Sequence, residues 1–493
     1  MKKILSYPYR PAALGLSLAL AGCAVGPDYV RPESALPAHH IEQALDVSAA
    51  PHGEVSQQIV TNGDIPAQWW HLFHSEALNQ LIQYSLTNNP DLQAAQAALR
   101  VAQENVAAQQ GGYFPTVGAE YDVARQRVAP TLATSASSGA YIYNLHTAQL
   151  TVSYAPDVFG LNRRQIESLQ AQADLQQYQL RATYLTLTAN LANAAINEAA
   201  LRSQLTALQQ VLDSQKKILV MVQRQFELGQ SGPLDLAAQE TALANAVTAL
   251  TPVQKQLAVQ RDQIKALSGR FPDDSSLPQF ELSGIVLPGE LPLTLPSTLV
   301  DHRPDILAAE AQLRWASANV GVAIANRLPN ITLGVNAYGS AAYQLGDLFK
   351  SGTSFWTLAG SVTQPIFDAG TLRHKQDAAQ AAFEQAKAQY RSTVIAAFQN
   401  VADALQAIQS DALALQAAKN AEAAARKTRD IGRRQLQLGD ISTLSLLTIE
   451  QNYQQAQLAY VQAQAARYAD TVALFQSLGG GWWNETNSSR LAD

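Results

Sequence analysis

The sequence predicts an α+β membrane protein made of two structural repeats, each a helix, a β-hairpin and a long helical hairpin. Three observations carry this. Motifs recur at a nearly constant offset along the chain. Two very long stretches keep helical spacing without a proline. Between the helical stretches, apolar residues alternate with other types, as they do on a strand with one apolar face.

The chain opens on its only cysteine, within LSLALAGCAVGPDYVRP at 16–32. A lone thiol forms no intramolecular disulfide. Met1-Lys2-Lys3 supplies a positive start, and the apolar run from Ala12 to Ala21 is too short to span a bilayer. Residues 1–22 therefore read as an export signal. Leu20-Ala21-Gly22-Cys23 resembles the lipobox of bacterial lipoproteins. That resemblance implies cleavage before Cys23, a diacylglycerol on its sulfur and an acyl group such as palmitate on its new amine, with no other cofactor. Ala24 stands where aspartate would retain a lipoprotein in the inner membrane, which favours the outer one. Losing Lys2, Lys3 and Arg10 takes the formal charge from −6 to −9, and nothing in that balance suggests nucleic acid.

Charged residues make up 15% of the chain, against roughly 25% in ordinary globular domains. Alanine and uncharged polar residues fill the difference. After the signal no 18-residue apolar run occurs, so the mature chain offers no transmembrane-helix candidate. An outer-membrane protein of this kind is lipid-anchored, a β-barrel, or both.

Residues 23–75 read as an extended N-terminal segment, 76–270 as the first repeat and 301–478 as the second. NNPDLQAAQAALR at 88–100 returns as HRPDILAAEAQLR at 302–314; Pro90 and Pro304 lie 214 apart, as do Pro115 and Pro329. FELGQSGPLDLAAQE at 226–240 returns as LQLGDISTLSLLTIE at 436–450, with Gly229 and Gly439 offset by 210. Pro156 and Pro365 open matching segments, PDVFG and PIFDAG. Pro90 and Pro304 suit helix starts. Hairpins are expected over 113–156 and 328–367, so Pro115, Pro156, Pro329 and Pro365 mark the junctions of strand and helix. Long helices follow over 160–268 and 371–478. Leu180, Tyr184, Leu187, Leu191 and Ala194 begin a seam of 3–4 spacing, and a helix from about Leu161 to Leu228 is roughly 100 Å long. Residues 271–300 have the composition of a Pro-rich linker, and 479–493 form a tail in which Gly479–Gly481 stop the last helix.

Four strands cannot close a barrel alone, since single-chain outer-membrane barrels have at least about eight. An open sheet would leave backbone unpaired in lipid. Closure must come from several identical chains.

CAVGPDYVRP, WWHLFHSEALNQLIQYSLTNNPDL at 69–92, PDVFG, HRPDILAAEAQL, PIFDAG and LGGGW at 478–482 occur in one order. In that order the chain resembles the outer membrane factor family, the TolC-like channels of Gram-negative efflux pumps, in its NodT-type lipoprotein branch. The resemblance implies a homotrimer, whose 12-stranded β-barrel is continuous with a periplasmic α-helical barrel. Residues around 24–75 and 270–300 would form an equatorial belt. The implied partners are a periplasmic membrane-fusion adaptor and an inner-membrane transporter of the resistance-nodulation-division (RND) type. The duct itself would be passive, conducting drugs or other toxic compounds.

By the same resemblance, Gly229, Gly439 and Asp440 mark the periplasmic tip, where the adaptor docks and the duct closes. In the family an aspartate six residues after the first glycine pairs with a tyrosine and an arginine flanking the second. Asp235 matches the aspartate, but Leu436 and Ile441 hold the partner positions. The pore-narrowing carboxylates expected six and nine residues after Gly439 are Ser445 and Thr448. The resting lock must therefore differ. Arg433 or Arg434 is expected to meet Asp235, with Leu444 and Leu447 as an apolar constriction.

An enzyme finds no support, for there is no G-x-S-x-G elbow, P-loop or paired-cysteine motif. His71 and His74, three apart, would suit a metal on one helix face, but they flank Trp69, Trp70 and Phe73 and read as packing; His39-His40 has no carboxylate cluster nearby. Two alternatives stand beside the efflux duct: a channel of a protein-secretion system, and a lipid-anchored structural coiled-coil protein.

Overall fold

The structure, a computed structural model, describes residues 25–32, 56–61, 63–127, 142–294 and 296–484. Cys23, His39-His40 and the Ser/Ala/Thr-rich loop at 129–139 lie outside them. In chain order the elements are β1 (Gln58–Thr61), α1 (Glu76–Asn88), α2 (Pro90–Gln110), β2 (Thr116–Arg127), β3 (Ile142–Tyr154), α3 (Leu161–Glu227) and α4 (Pro233–Leu267). The second half adds β4 (Glu290–Leu293), α5 (Pro296–His302), α6 (Pro304–Ala325), β5 (Asn330–Ala342), β6 (Ser354–Thr363), α7 (Thr371–Leu438) and α8 (Thr443–Ser477).

Each half thus has a short extra helix, α1 or α5, ahead of the expected pattern. The described residues fall into two compact units. One takes residues up to Pro32, Leu99–Gln176 and Ala309–Tyr390; the other takes the described residues from there to Ala98, Gln177–Ala308 and those from Arg391 on.

The first unit holds a four-stranded sheet, all antiparallel, in the order β2-β3-β5-β6. The hairpins of the two repeats therefore merge side by side. The pleat separates two faces. Val117, Val152, Val335 and Leu358 stand opposite one another in a row across all four strands. The next row is polar: Gly118, Thr151, Asn336 and Thr357. Pro115, Pro156, Pro329 and Pro365 each lie one or two residues outside a strand end, where a missing N–H breaks no ladder bond. In the same unit Arg164, at the start of α3, reaches back to residues 25–28.

The second unit holds the aromatic core. Trp69 stacks on Phe475 with ring centroids 5.5 Å apart, and Phe73 meets Phe475 edge to face at 6.4 Å. The stretch 271–300 is more than a linker. It contains β4, which pairs in parallel with β1, and buries Leu277, Phe280, Ile285 and Leu291. Its prolines keep it free of long helix up to Pro296, where α5 begins, and leave apolar side chains free to pack. The N-terminal stretch 23–75, expected as one region, is divided: 25–32 belongs to the first unit and 56–75 to the second. His71 lies in a 3-10 turn ending at Phe73, and His74 follows in a left-handed conformation, so the two share no helix face. Among the described residues no group of three or more His, Cys, Asp or Glu is placed to hold a metal ion.

The repeat is visible down to single hydrogen bonds. Asn89 caps α2 through the Leu92 N–H at 3.0 Å and donates to the Leu267 carbonyl, at the end of α4, at 2.8 Å. Arg303, at the equivalent position before α6, donates to the Ser477 carbonyl at the end of α8 at 2.7 Å. Each latch ties the first long helix of a repeat to the last residue of its last helix, satisfying a carbonyl that the helix leaves open.

Candidate functional site

The turns at the ends of the long helical hairpins are built alike. After α3, the Gly229 N–H donates to the Phe226 carbonyl and the Gln230 N–H to Gln225; after α7, Gly439 donates to Leu436 and Asp440 to Gln435. Gly229 and Gly439 have φ of 71° and 81°. This is the left-handed helix stop that glycine accepts without a Cβ penalty. The next helices are capped differently. Asp235 accepts from its own Gly232 N–H at 3.3 Å and from the Ser231 hydroxyl at 3.1 Å. Ser442 accepts from the Ser445 N–H at 3.2 Å.

Asp235 is therefore spent on its own helix start. Within the chain it does not meet Arg433 or Arg434, because three residues into a helix a carboxylate finds its nearest donors at the cap. Arg433 instead reaches across the second hairpin to Glu450 at 2.6 Å and to the Ser214 hydroxyl on α3 at 2.8 Å. The Glu450 side chain is only 2% exposed, against 41% for Arg433. Arg434 is exposed and has no ion pair among the described residues. Glu450 is absent from the expected residues; its one signal was the match to Glu240 at the end of the repeated tip motif.

Leu436 and Ile441, which replace the expected tyrosine and arginine, pack around Ile218, Val222 and Leu446, together with Leu236. The two leucines expected at the constriction differ in exposure. Leu447 is 6% exposed and so is covered within the chain, whereas Leu444 is 61% exposed. Ser445 and Thr448 are exposed, with hydroxyls turned to Ser442 and to the Leu444 carbonyl. Leu228, Leu234 and Leu438 join Leu444 as exposed leucines around the two turns. Asp440 is exposed beside them.

The sheet is the second functional surface. Val117 is 73% exposed and Leu358 70%, on strands at its two edges. On the opposite face the Gln149 side chain donates to Glu120 at 2.7 Å and accepts from Asn336 at 2.6 Å. An apolar face, a hydrated face and two open edges are what a section of barrel wall presents. No helix among the described residues is long and apolar enough to cross a membrane.

Two long helical hairpins grafted onto a sheet of this kind define the class of outer-membrane channels. The family model for outer membrane efflux proteins matches residues 81–270 and 295–480. The chain belongs to that family. It is 32% identical over 480 residues to the toluene efflux pump outer membrane protein TtgC of Pseudomonas putida, covering 95% of each chain. The solved outer-membrane channel OprN is 26% identical with a TM-score of 0.81, covering 93% of this chain and 100% of that one. The open-state channel MtrE of Neisseria gonorrhoeae is also 26% identical, with a TM-score of 0.78 over 94% and 100%. The protein is an outer-membrane efflux duct, not an enzyme.

Proposed function

We propose that three copies of this chain close a 12-stranded β-barrel and continue as a helical tube through the periplasm. The tube is the passive exit of a tripartite pump, joined by a membrane-fusion adaptor to an inner-membrane RND-type transporter. The observation that carries this is the sheet, whose apolar row Val117–Val152–Val335–Leu358 is exposed at both ends while the edges β2 and β6 are unpaired within the chain. Unpaired backbone in hydrocarbon costs several kcal/mol per group, so the edges find strands of neighbouring copies. Three copies give an even number within the range of known barrels. The leucines around Gly229 and Gly439 suit an adaptor that docks on an apolar tip. Cys23 carries the lipid, a second anchor beside the barrel. The cargo is of the small organic kind for which the similar TtgC pump is named.

Light scattering of the detergent-solubilised protein, corrected for bound detergent, tests the assembly. Three chains per particle, with channel conductance in planar bilayers, is the expected result. A stable folded monomer would overturn the closure argument, because it would have to tolerate both open edges.

A further inference from the structure

Asp411 on α7 and Asp470 on α8 face one another across the second helical hairpin. Asp411 lies 28 residues before Gly439 and Asp470 lies 28 residues after Ser442. Antiparallel helices joined by that turn bring the two level, about 42 Å from it at 1.5 Å per residue. The Asp470 carboxyl lies close enough to that of Asp411 to interact with it directly. Ionised carboxylates only accept hydrogen bonds, so two neighbouring carboxyls can bond to each other only while one of them keeps a proton. Asp411 Oδ2 is buried without a hydrogen-bond partner, which makes a charge on that oxygen costly.

The neighbours fix the charge balance. Arg467, one turn before Asp470 on α8, is wholly buried and donates through Nε to Gln57 at 2.9 Å. Gln57 in turn donates to Thr471 and to the Pro288 carbonyl, and the Tyr468 hydroxyl donates to the Ile285 carbonyl. On the other side, Arg303 and Asp403 line a groove of about 420 Å³ with Asp470. With one proton on the pair, Arg467 and the two aspartates sum to zero. Without it they carry a net negative charge in a half-buried place.

We infer that Asp411 and Asp470 are a proton-operated clasp between α7 and α8, closed by a shared proton and sprung by carboxylate repulsion when that proton leaves. Burial first, and then the neighbouring Asp470 carboxyl, push the Asp411 carboxyl up to about 7, while Arg467 pulls it down. The raised value sets the sign. The folded chain holds this proton more tightly than the unfolded one, so the clasp's contribution is full below the ordinary carboxylate range. It is lost as pH rises towards about 7, and is flat beyond. The device ties the firmness of the second helical hairpin to periplasmic pH, and it does not depend on the number of chains in the assembly.

Infrared titration of the purified full-length protein in detergent, from about pH 5 to pH 9, tests it. The carbonyl stretch of one protonated carboxyl per chain is expected to disappear near pH 7. The band should be missing in both Asp411→Asn and Asp470→Asn and retained in Asp403→Asn. The melting temperature should fall from pH 5 to pH 7 in the wild type and stay level in Asp411→Asn, whose amide holds the clasp at every pH. Either asparagine variant alone suffices if the other fails to assemble. A wild type without a band titrating in this range, or a band surviving in the asparagine variants, would overturn the clasp.

Discussion

Replacing Arg164 by methionine keeps the aliphatic stem and removes the group that holds residues 25–28, the segment directly after the lipidated Cys23 of the proposal. The Arg164 side chain is 5% exposed. It donates to the Val25 carbonyl at 3.0 Å, the Gly26 carbonyl at 3.2 Å and Asp28 at 2.9 Å. Its fourth bond, to Glu167 at 2.7 Å, stays within α3 and holds nothing else. Asp28 is 91% exposed, so that pair contributes about 0–1 kcal/mol. The two carbonyl bonds involve a charged donor in a covered site and are worth about 1.5–3 kcal/mol each. The other ties are weaker. Val25 donates to Phe159 at 3.3 Å, Tyr29 to Glu310 at 3.4 Å, and Arg31, 41% exposed, pairs with Glu310 at 3.1 Å.

Arg164 therefore contributes at least about 3 kcal/mol to holding the strap, and its loss should raise local opening roughly 100-fold. Hydrogen-exchange mass spectrometry reads this directly. The peptide covering 25–32 should lose protection in Arg164→Met while α3 keeps it. Gly26→Ala should do the same by another route: Gly26 has φ +98°, and a Cβ there would lie 2.6 Å from the Gly321 Cα. Unchanged protection of 25–32 in Arg164→Met would refute the assignment of the strap to Arg164.

At the tip, Arg433→Ala should cost about 2 kcal/mol, between the value of an exposed pair and the 3–5 kcal/mol of a buried one, because it strands Glu450; Arg433→Ala with Glu450→Gln should recover part of that in thermal melts. Replacing the lipoprotein signal by a cleavable one with Cys23→Ala should leave the protein in the outer-membrane fraction, since lipid methylenes add only about 0.8 kcal/mol each beside a closed barrel; soluble periplasmic protein would show the lipid to be the main anchor. Trivalent cations applied from the periplasmic side should block the wild type weakly, because Ser445 and Thr448 supply no carboxylate ring, and Ser445→Asp should create block; tight block of the wild type would place the constriction elsewhere.

The elements were legible where prolines and glycines punctuate them. Pro90 and Pro304 open α2 and α6, and α7 runs over Thr371–Leu438 as its unbroken helical spacing predicts. Strand alternation was equally local, a matter of residues two apart. Pairings across elements were not legible. β1 and β4 are four-residue strands more than two hundred residues apart, and neither has an alternation long enough to register. Arg433 finds Glu450 rather than Asp235 because the rotation of α7 against α8 decides which faces meet, and seventeen residues of spacing around a turn do not fix that rotation. The expectation for Asp235 rested on likeness to the family at a place where this chain departs from it; within the chain its carboxylate caps its own helix.

That departure has a physical direction. An aspartate–arginine–tyrosine lock is directional and weakens with salt. Here Leu436 and Ile441 pack with Ile218, Val222 and Leu446, an apolar cluster whose strength is set by buried area and barely by ionic strength. Two ion pairs near the tip have a buried carboxylate: Arg433 with Glu450 across the second hairpin, and Arg426 with Glu422, one turn apart on α7, each at 2.6 Å. Both pairs join charges within the chain, and both carboxylates are buried, Glu450 at 2% and Glu422 at 6% exposed. Of these, only Arg433 with Glu450 ties one helix of the second hairpin to the other, while Leu228, Leu234, Leu438 and Leu444 stay exposed. If the duct closes at this end, the apolar cluster makes its resting contacts insensitive to salt, and conductance of the closed state, relative to that of the bath, should change little between low and high ionic strength.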